Sequence, residues 1–203
     1  MKIDVIEYKP EWKNTFEQVC NHLSSITGFV HPVIEHIGST SVEGLAAKPI
    51  IDILVGLNSD EDLDKIIQPL VINNYMYYAI YNSIMPYRRF FAKLTIAPQN
   101  LPTPLIVESE NDFDALRNDY TNRLAHIHVL RYKSEHWIRH IAFRDYLRAH
   151  PSVLKAYQQL KLQLSMMLWK DGNDYNSAKD DFIKTEECNA INWYNSLNWQ
   201  PCI

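Results

Sequence analysis

Residues 36–54 read HIGSTSVEGLAAKPIIDIL, and the fold follows from how this stretch divides. A short strand around Val33–Ile37 runs into Gly38-Ser39-Thr40-Ser41. A turn or short helix then covers Val42–Lys48, and Pro49 opens an apolar strand over Ile50–Val55. A strand feeding Gly-Ser and then a helix start suits a phosphate. Glycine lets the backbone approach closely, and the unpaired N–H groups at a helix start face an anion. Ser39, Thr40 and Ser41 add hydroxyl donors. Strand side chains alternate, so Asp52 and Leu54 share a face while Ile51, Ile53 and Val55 share the other. A lone carboxylate in such a strand is costly to bury unless it is paired or metal-bound. The plain alternatives are a capped strand-to-helix turn at Gly38 and an ion pair at Asp52. Lys48, placed after the turn, either reaches a phosphate or is a solvated helix end.

Outward from this stretch, residues 12–27 predict an amphipathic helix, because Trp12, Phe16, Val19, Leu23 and Ile26 recur at spacings of three and four. Asn58 or Ser59 is the expected cap of a second helix running to about Asn73, with Asp60, Glu61 and Asp62 in its first turn. Tyr75–Ile80 and Tyr87–Ile96 read as strands, rich in aromatic and β-branched residues. Residues 97–111, with Pro98, Pro102 and Pro104, read as a loop. Phe113–Leu124 reads as a helix and Ala125–Arg131 as a strand. After Ser134 the pattern is all helical. Trp137, Ile141, Tyr146 and Leu147 lie on one helix that His150-Pro151 breaks, since a residue before proline is pushed out of the α region. Val153–Trp169 restarts it, with Leu160, Leu164 and Met167 as its packing stripe. Gly172 ends it, and Ser177 is the expected cap of a last helix through Asn192. The expectation is an α+β fold: a mixed sheet flanked by helices over residues 1–132, with a helical cap over residues 133–203 packed on it.

The chain has 203 residues, with 20 Lys+Arg against 24 Asp+Glu and a net charge of −4. A coater of extended nucleic acid needs a broad basic surface to displace counterions, so that class is excluded. A small site for one nucleotide is not. The 46% hydrophobic content fills a core. The start, MKIDVIEYKPEWKN, lacks a basic stretch followed by an apolar one, and no run approaches the ~18 apolar residues of a membrane span. Cys20, Cys188 and Cys202 are odd in number and scattered, which supports neither a disulfide framework nor a zinc knuckle. A cytoplasmic setting is expected, with no membrane partner.

The run HIGSTSVEGLAAKPIIDILV resembles the signature of the GrpB family of bacterial proteins. Arg88-Arg89-Phe90-Phe91, the strand His126-Ile127-His128-Val129, the run from Ala142 to Pro151 and Tyr8-Lys9-Pro10-Glu11-Trp12 resemble it too. The likeness runs from about residue 6 to about residue 185. It implies the nucleotidyltransferase fold related to DNA polymerase beta, in which Gly-Ser precedes a strand with two acids two residues apart. Those acids bind two Mg²⁺ ions that activate the nucleophile and steady the leaving pyrophosphate. Here the second acid position is Leu54, as it is a non-acid in many of the family. The third acid's strand corresponds to His126–Val129, which offers histidines. The family includes fusions to dephospho-coenzyme A kinase and brings no settled substrate. Residues 95–124 are longer than the family usually has there, either a lid or a surface excursion.

His126 and His128 share a strand face. With Asp52 they make a two-histidine, one-carboxylate set that suits Zn²⁺, Mn²⁺, Fe²⁺ or Ni²⁺ better than Mg²⁺. One of the two is otherwise a general base, or both are structural. Arg88 and Arg89 alternate faces, so one points into a site on that face. Either pairs with phosphate through its planar fork or with a nearby acid. Arg144 and Arg148 share a helix face with Asp145 beside them, for a ligand's anionic end or for docking the cap. Tyr75, Tyr77, Tyr78 and Tyr81 are either base-stacking residues or core. The leading expectation is a nucleotide or small phosphorylated ligand held by Gly38, Ser39, Thr40, Lys48, Arg88, Arg89 and Arg144. Asp52 and His128 are then the catalytic candidates, with a divalent metal (Mg or Mn, Zn as the alternative) on Asp52, His126 and His128. The reaction expected is metal-dependent nucleotidyl transfer. A non-catalytic nucleotide-binding module and a histidine-based metalloenzyme are the rivals. The arginines at 88, 89, 131, 139, 144 and 148 predict a local basic pocket on an acidic body.

Overall fold

The computed structural model describes residues 1–116 and 122–197. It contains a five-stranded mixed sheet of β1 (Val33–Ile37), β2 (Ile51–Leu57), β3 (Tyr75–Tyr77), β4 (Arg88–Leu94) and β5 (Arg123–Arg131). The spatial order is β1-β2-β5-β4-β3, and β2 and β5 form its parallel pair. The helices are α1 (Glu11–Thr27), α2 (Asp62–Lys65), α3 (Ile67–Ile72), α4 (Glu110–Leu116), α5 (Glu135–Ala149), α6 (Pro151–Ser165), α7 (Gly172–Ser177) and α8 (Asp180–Ser196). The expected α+β architecture, a mixed sheet flanked by helices and followed by helices, is present.

Alternation along the strands gives each sheet face its own cover. Ile51, Ile53, Val55, Ala125, Ile127 and Val129 form one face and pack with Trp12, Val19 and Leu23 of α1 and Leu70 of α3. The opposite face is divided. At one end Ile37, Leu54 and Leu130 lie under Trp137 and Ile141 of α5. At the other end Asp52, His126, His128 and Phe90 line a cavity. Helix α5 seats closely because Gly56 has no side chain. A Cβ there would lie 2.6 Å from the Trp137 ring.

Several boundaries differ from the sequence expectation for local reasons. The helix expected up to Asn73 is two pieces, α2 and α3. Pro69 has no N–H to bond Lys65, and its ring crowds that carbonyl, so the helix breaks between them. The strand expected over Tyr75–Ile80 stops at Tyr77, and Ala79–Tyr81 forms a 3₁₀ turn. The turn after β1 forms directly at Ser39–Ser41, ahead of the expected Val42–Lys48. Helix α4 starts earlier than Phe113, behind a box in which Ser109 Oγ accepts from Asp112 N (3.2 Å) and donates to the Asp112 carboxylate (2.7 Å). Residues 117–121 of the expected Phe113–Leu124 helix lie outside the described residues, and β5 already begins at Arg123. Helix α6 ends at Ser165, short of Trp169, and leaves Met167 exposed instead of in a packing stripe. Ser177 closes α7, and α8 starts at Asp180. Residues 198–203 of the expected cap lie outside the described residues.

The 95–124 segment is a packed excursion where it is described. Tyr77 N donates to Leu105 O (2.7 Å) and Val107 N to Tyr77 O (2.8 Å), so this segment covers the open edge of β3. It also brings Phe113 to the cavity.

Candidate functional site

The site starts where β1 turns into β2. Ile37 and Asp52 are register partners, so the Gly38 turn lies directly over the Asp52 side chain. Gly38 has φ +70°, and a Cβ on it would sit 2.3 Å from Asp52 Oδ2 and 2.8 Å from Asp52 Cβ. Glycine is required twice here, for the backbone conformation and for the space. Gly38→Ala is expected to cost about 2–4 kcal/mol, the sum of a left-handed backbone penalty and overpacking. It also displaces the Asp52 carboxylate. Urea unfolding followed by circular dichroism measures the first effect, and a midpoint equal to wild type would contradict this close approach. The turn is fixed further by Ser41 Oγ donating to Gly38 O (2.7 Å) and by a 3.0 Å bond between His36 Nε2 and Thr40 Oγ1.

Parallel pairing sets Asp52 beside His126, and Leu54 beside His128. His126 Nδ1 lies 3.2 Å from Asp52 Oδ1, and His128 Nε2 lies 3.8 Å from the same oxygen. The expected trio is therefore brought together. Its protonation follows from Arg123, whose Nη1 lies 3.3 Å from His126 Nε2 and whose Nη2 donates to Tyr78 Oη (3.0 Å). A guanidinium only donates, so His126 Nε2 accepts, and its proton sits on Nδ1 and is donated to Asp52. Both ring nitrogens of His126 are thus engaged. Burial would push the Asp52 carboxyl up, but the His126 hydrogen bond and the His128 ring outweigh it and hold Asp52 well below the usual carboxylate range. Burial and the adjacent Arg88 push His128 down to about 4, so it is neutral near pH 7. Among the described residues, no group of three or more His, Cys, Asp or Glu side chains is arranged to hold a metal ion. Of the expected ligands, Asp52 keeps oxygen available to the cavity, while the His126 nitrogens do not fit that role.

The cavity holds about 720 Å³. Its lining includes Ser39, Thr40, Lys48 and Arg88, all expected from the sequence, and also Arg123, Lys161, Asn173, Tyr175, Asn176 and Lys179. Lys161 crosses from α6 to donate to Ser39 Oγ (3.0 Å) and to the Ala46 carbonyl. The Tyr175 ring meets two ammonium groups, Lys48 Nζ at 4.5 Å and Lys179 Nζ at 4.4 Å from its centre. Burial, with the charge of Lys179, pushes Lys161 down to about 7, and burial, with the charge of Lys48, pushes Lys179 to about 8. Burial, against the pull of Asp52, pushes Lys48 to about 8. Desolvated ammonium groups gathered around one turn form a site that an anion completes. A second wall is apolar and aromatic, with Tyr81, Ile84, Met85, Phe90 and Phe113.

Two expected ligand contacts lie elsewhere. Arg89 points to the other sheet face, where its Nε donates to Asp64 (2.6 Å). Arg144 does not line the cavity. It docks α5 onto β1 by donating to Glu35 (2.7 Å), to the His36 carbonyl (3.0 Å) and to Asp145 (2.8 Å). Arg148 joins the same network through Asp145 and Ser41 O. Tyr75, Tyr77 and Tyr78 are core residues, and of that cluster Tyr81 reaches the cavity.

The profile described as GrpB protein matches residues 2–187. The chain belongs to the GrpB family. The crystal structure of conserved GrpB from Enterococcus faecalis is 31% identical, covers 94% of this chain and 99% of its own, and superposes with a TM-score of 0.73. Glutamate-rich protein GrpB of Alkalihalophilus pseudofirmus is 30% identical over 182 residues, 90% of this chain and 92% of that protein. YqkA of Bacillus subtilis is 32% identical over 197 residues, 97% of this chain, which spans about half (50%) of YqkA. No described helix is long and apolar enough to cross a membrane.

In this GrpB chain the residues that sequence reading missed are Lys161, Lys179, Tyr175 and Arg123. The signal for Lys161 was its spacing of four from Tyr157, which puts both on one face of α6. Both are buried, at 3% and 5% exposure, while Met166 and Leu168 beyond the helix end are exposed. Arg123 was lost because β5 was expected to begin two residues later.

Proposed function

We propose that this chain binds a nucleotide or other small phosphorylated ligand over the Gly38–Ser41 turn, and that its chemistry is metal-dependent nucleotidyl transfer. The convergence of Lys48, Lys161 and Lys179 on the turn and on Tyr175 carries the reading. Phosphate oxygens replace the Ser39 and Ala46 oxygens as partners of Lys161 and accept from the turn. The apolar wall at Tyr81 and Phe113 faces the rest of the ligand. Asp52 would hold Mg²⁺ or Mn²⁺, since Mg²⁺ is commonly bound by one or two carboxylates together with substrate phosphates, and the ion would supply charge stabilisation to the transferring group. Asp52 is the ionised anchor, His126 fixes its orientation, and neutral His128 accepts a hydrogen bond from the nucleophile. Leu54 favours one rival, a binding module without turnover, because one strand acid does not hold two metals. Zinc on two histidines is the weaker alternative, as Arg123 already occupies His126 Nε2.

Calorimetry with tripolyphosphate and with ATP tests the binding step. Lys161→Met is expected to weaken both at least about tenfold, the scale of a lost charge-assisted bond. The pH dependence has a defined sign. Anion binding needs protonated lysines, and Lys161, Lys48 and Lys179 lose protons near 7, 8 and 8, whereas Tyr175 is pushed up to about 12 and stays neutral. Affinity therefore falls as pH rises from about 7 to 9, and binding at pH 8 takes up protons, seen by comparing buffers of different ionisation enthalpy. Wild-type affinity in Lys161→Met, or no binding of either anion, rejects the reading.

A further inference from the structure

The lysines occupy one side of the cavity, and Arg88 occupies another. It sits on β4, two strands from Asp52 in the order β2-β5-β4, about 10 Å across the sheet. Its guanidinium lies 5.0 Å from the Phe90 ring centre. Among the described residues its Nε is buried without a hydrogen-bond partner. Around it, α5 presents His136, Arg139 and His140, three and four residues apart and so on one helix face. From β5 comes His128, whose ring lies 5.8 Å from that of His140. Tyr87 stacks flat on His136 at 3.7 Å. The orphaned atoms gather here: Arg88 Nε, Arg139 Nε and His128 Nδ1 are all buried without a partner. The carboxylates facing this group are Glu187, which binds Arg139 Nη1 (3.1 Å), Asp52, whose Oδ1 lies 3.8 Å from His128 Nε2, and Glu135, whose charge acts on His136.

Buried guanidinium donors left unmet cost free energy, and a native chain that keeps two of them in one place has a use for them. Two guanidinium groups repel a cation, so a metal does not explain the cluster. We propose that Arg88, with Arg139 and the histidines around it, forms a second anion subsite that takes the carboxylate or phosphate group of a second small reactant. This rests on the reading that the lysine side holds the phosphorylated ligand. It places Asp52 and His128 between two anionic molecules, so the acceptor is itself an acid or a phosphate ester and not a neutral alcohol.

The test separates the two subsites. Lys161→Met/Lys179→Gln silences the lysine side. In that double variant, inorganic phosphate or acetate at equal ionic strength is expected to raise Tm by a few degrees, and adding Arg88→Gln is expected to remove the rise. The anion that produces the Arg88-dependent rise identifies the group recognised. In the otherwise wild-type chain, Arg88→Gln is expected to leave tripolyphosphate affinity within about threefold, since the charge removed is about a Debye length away. Arg88→Gln removes the unpartnered Nε together with the contact to the Phe90 ring, so its Tm without ligand is the baseline against which each anion is read. Arg88→Lys, which keeps the charge but loses the fork, retains a smaller rise. No Arg88-dependent rise with either anion overturns the second subsite. So does a loss of tripolyphosphate binding in Arg88→Gln as large as in Lys161→Met, because Arg88 would then belong to the first. If tripolyphosphate fails to bind wild type, the lysine-side reading falls, while the Arg88-dependent rise still decides this proposal by itself.

Discussion

Asp52→Asn is expected to strengthen tripolyphosphate binding several-fold without divalent ions, and to abolish the gain that Mg²⁺ or Mn²⁺ gives wild type. Both signs follow from one geometry. In the proposed reading the Asp52 carboxylate faces the phosphate that the lysines would draw in, so its charge would repel the ligand until a divalent ion bound there. At an effective dielectric of about 20, charges about 6 Å apart interact by about 3 kcal/mol, which solvent at this carboxylate, 31% exposed, reduces to a factor of several in affinity. Asparagine keeps the shape and still accepts from His126, so the comparison isolates charge. The variant should also flatten the acid limb of stability. Asp52 has a depressed folded-state pKa, so it contributes stability above the unfolded value near 4 and loses it as pH falls below that. Titration calorimetry with and without Mg²⁺, and urea unfolding at pH 3 to 7, read the two effects. A divalent-dependent gain that survives in Asp52→Asn would remove Asp52 as the metal anchor and leave a binding module.

The parts of this site that were legible in the sequence are those fixed by backbone rules. Gly38 before a strand and Asp52 on the next one are separated by a turn that has one workable geometry, and β1 runs over Val33–Ile37 as its apolar and polar residues imply. Alternation said that one of Arg88 and Arg89 faces the site. The register that pairs Phe90 with His128 decides for Arg88. The cationic side was read from the wrong residues. Clustered arginines suggested Arg144 and Arg148, but Glu35 and Asp145 lie close enough in space to bind them, and only tertiary structure puts Glu35 there. Lysines 161 and 179 were overlooked because helical periodicity assumes that the buried face is the apolar one. On α6 the inward face meets both an apolar cluster, where Tyr157 packs with Val42, Leu45 and Leu147, and the polar cavity one turn further on, which takes Lys161.

Leu54→Asp, which restores an acid two residues after Asp52, is expected to unfold the chain and not to create a second metal site. Alternation puts both positions on one sheet face, but α5 divides that face. Asp52 looks into the cavity, while Leu54 is fully buried among Ile37, Leu130, Trp137 and Ile141. A carboxylate there sits in an apolar cluster and loses its hydration. The cost is about 3–5 kcal/mol, comparable with the whole stability of a small domain. Leu54→Met, which keeps the volume, should cost less than about 1.5 kcal/mol and serves as the control. Urea midpoints rank the three chains. A Leu54→Asp protein with a wild-type midpoint and a second bound Mn²⁺ would mean that α5 lifts away from β2. Retention of Leu54 under Trp137 instead makes the single carboxylate a consequence of how the helical cap docks. In the proposed function, the positive charge that a second ion would bring would come from Lys161 of α6 and Lys179 before α8, which line the same cavity as Asp52.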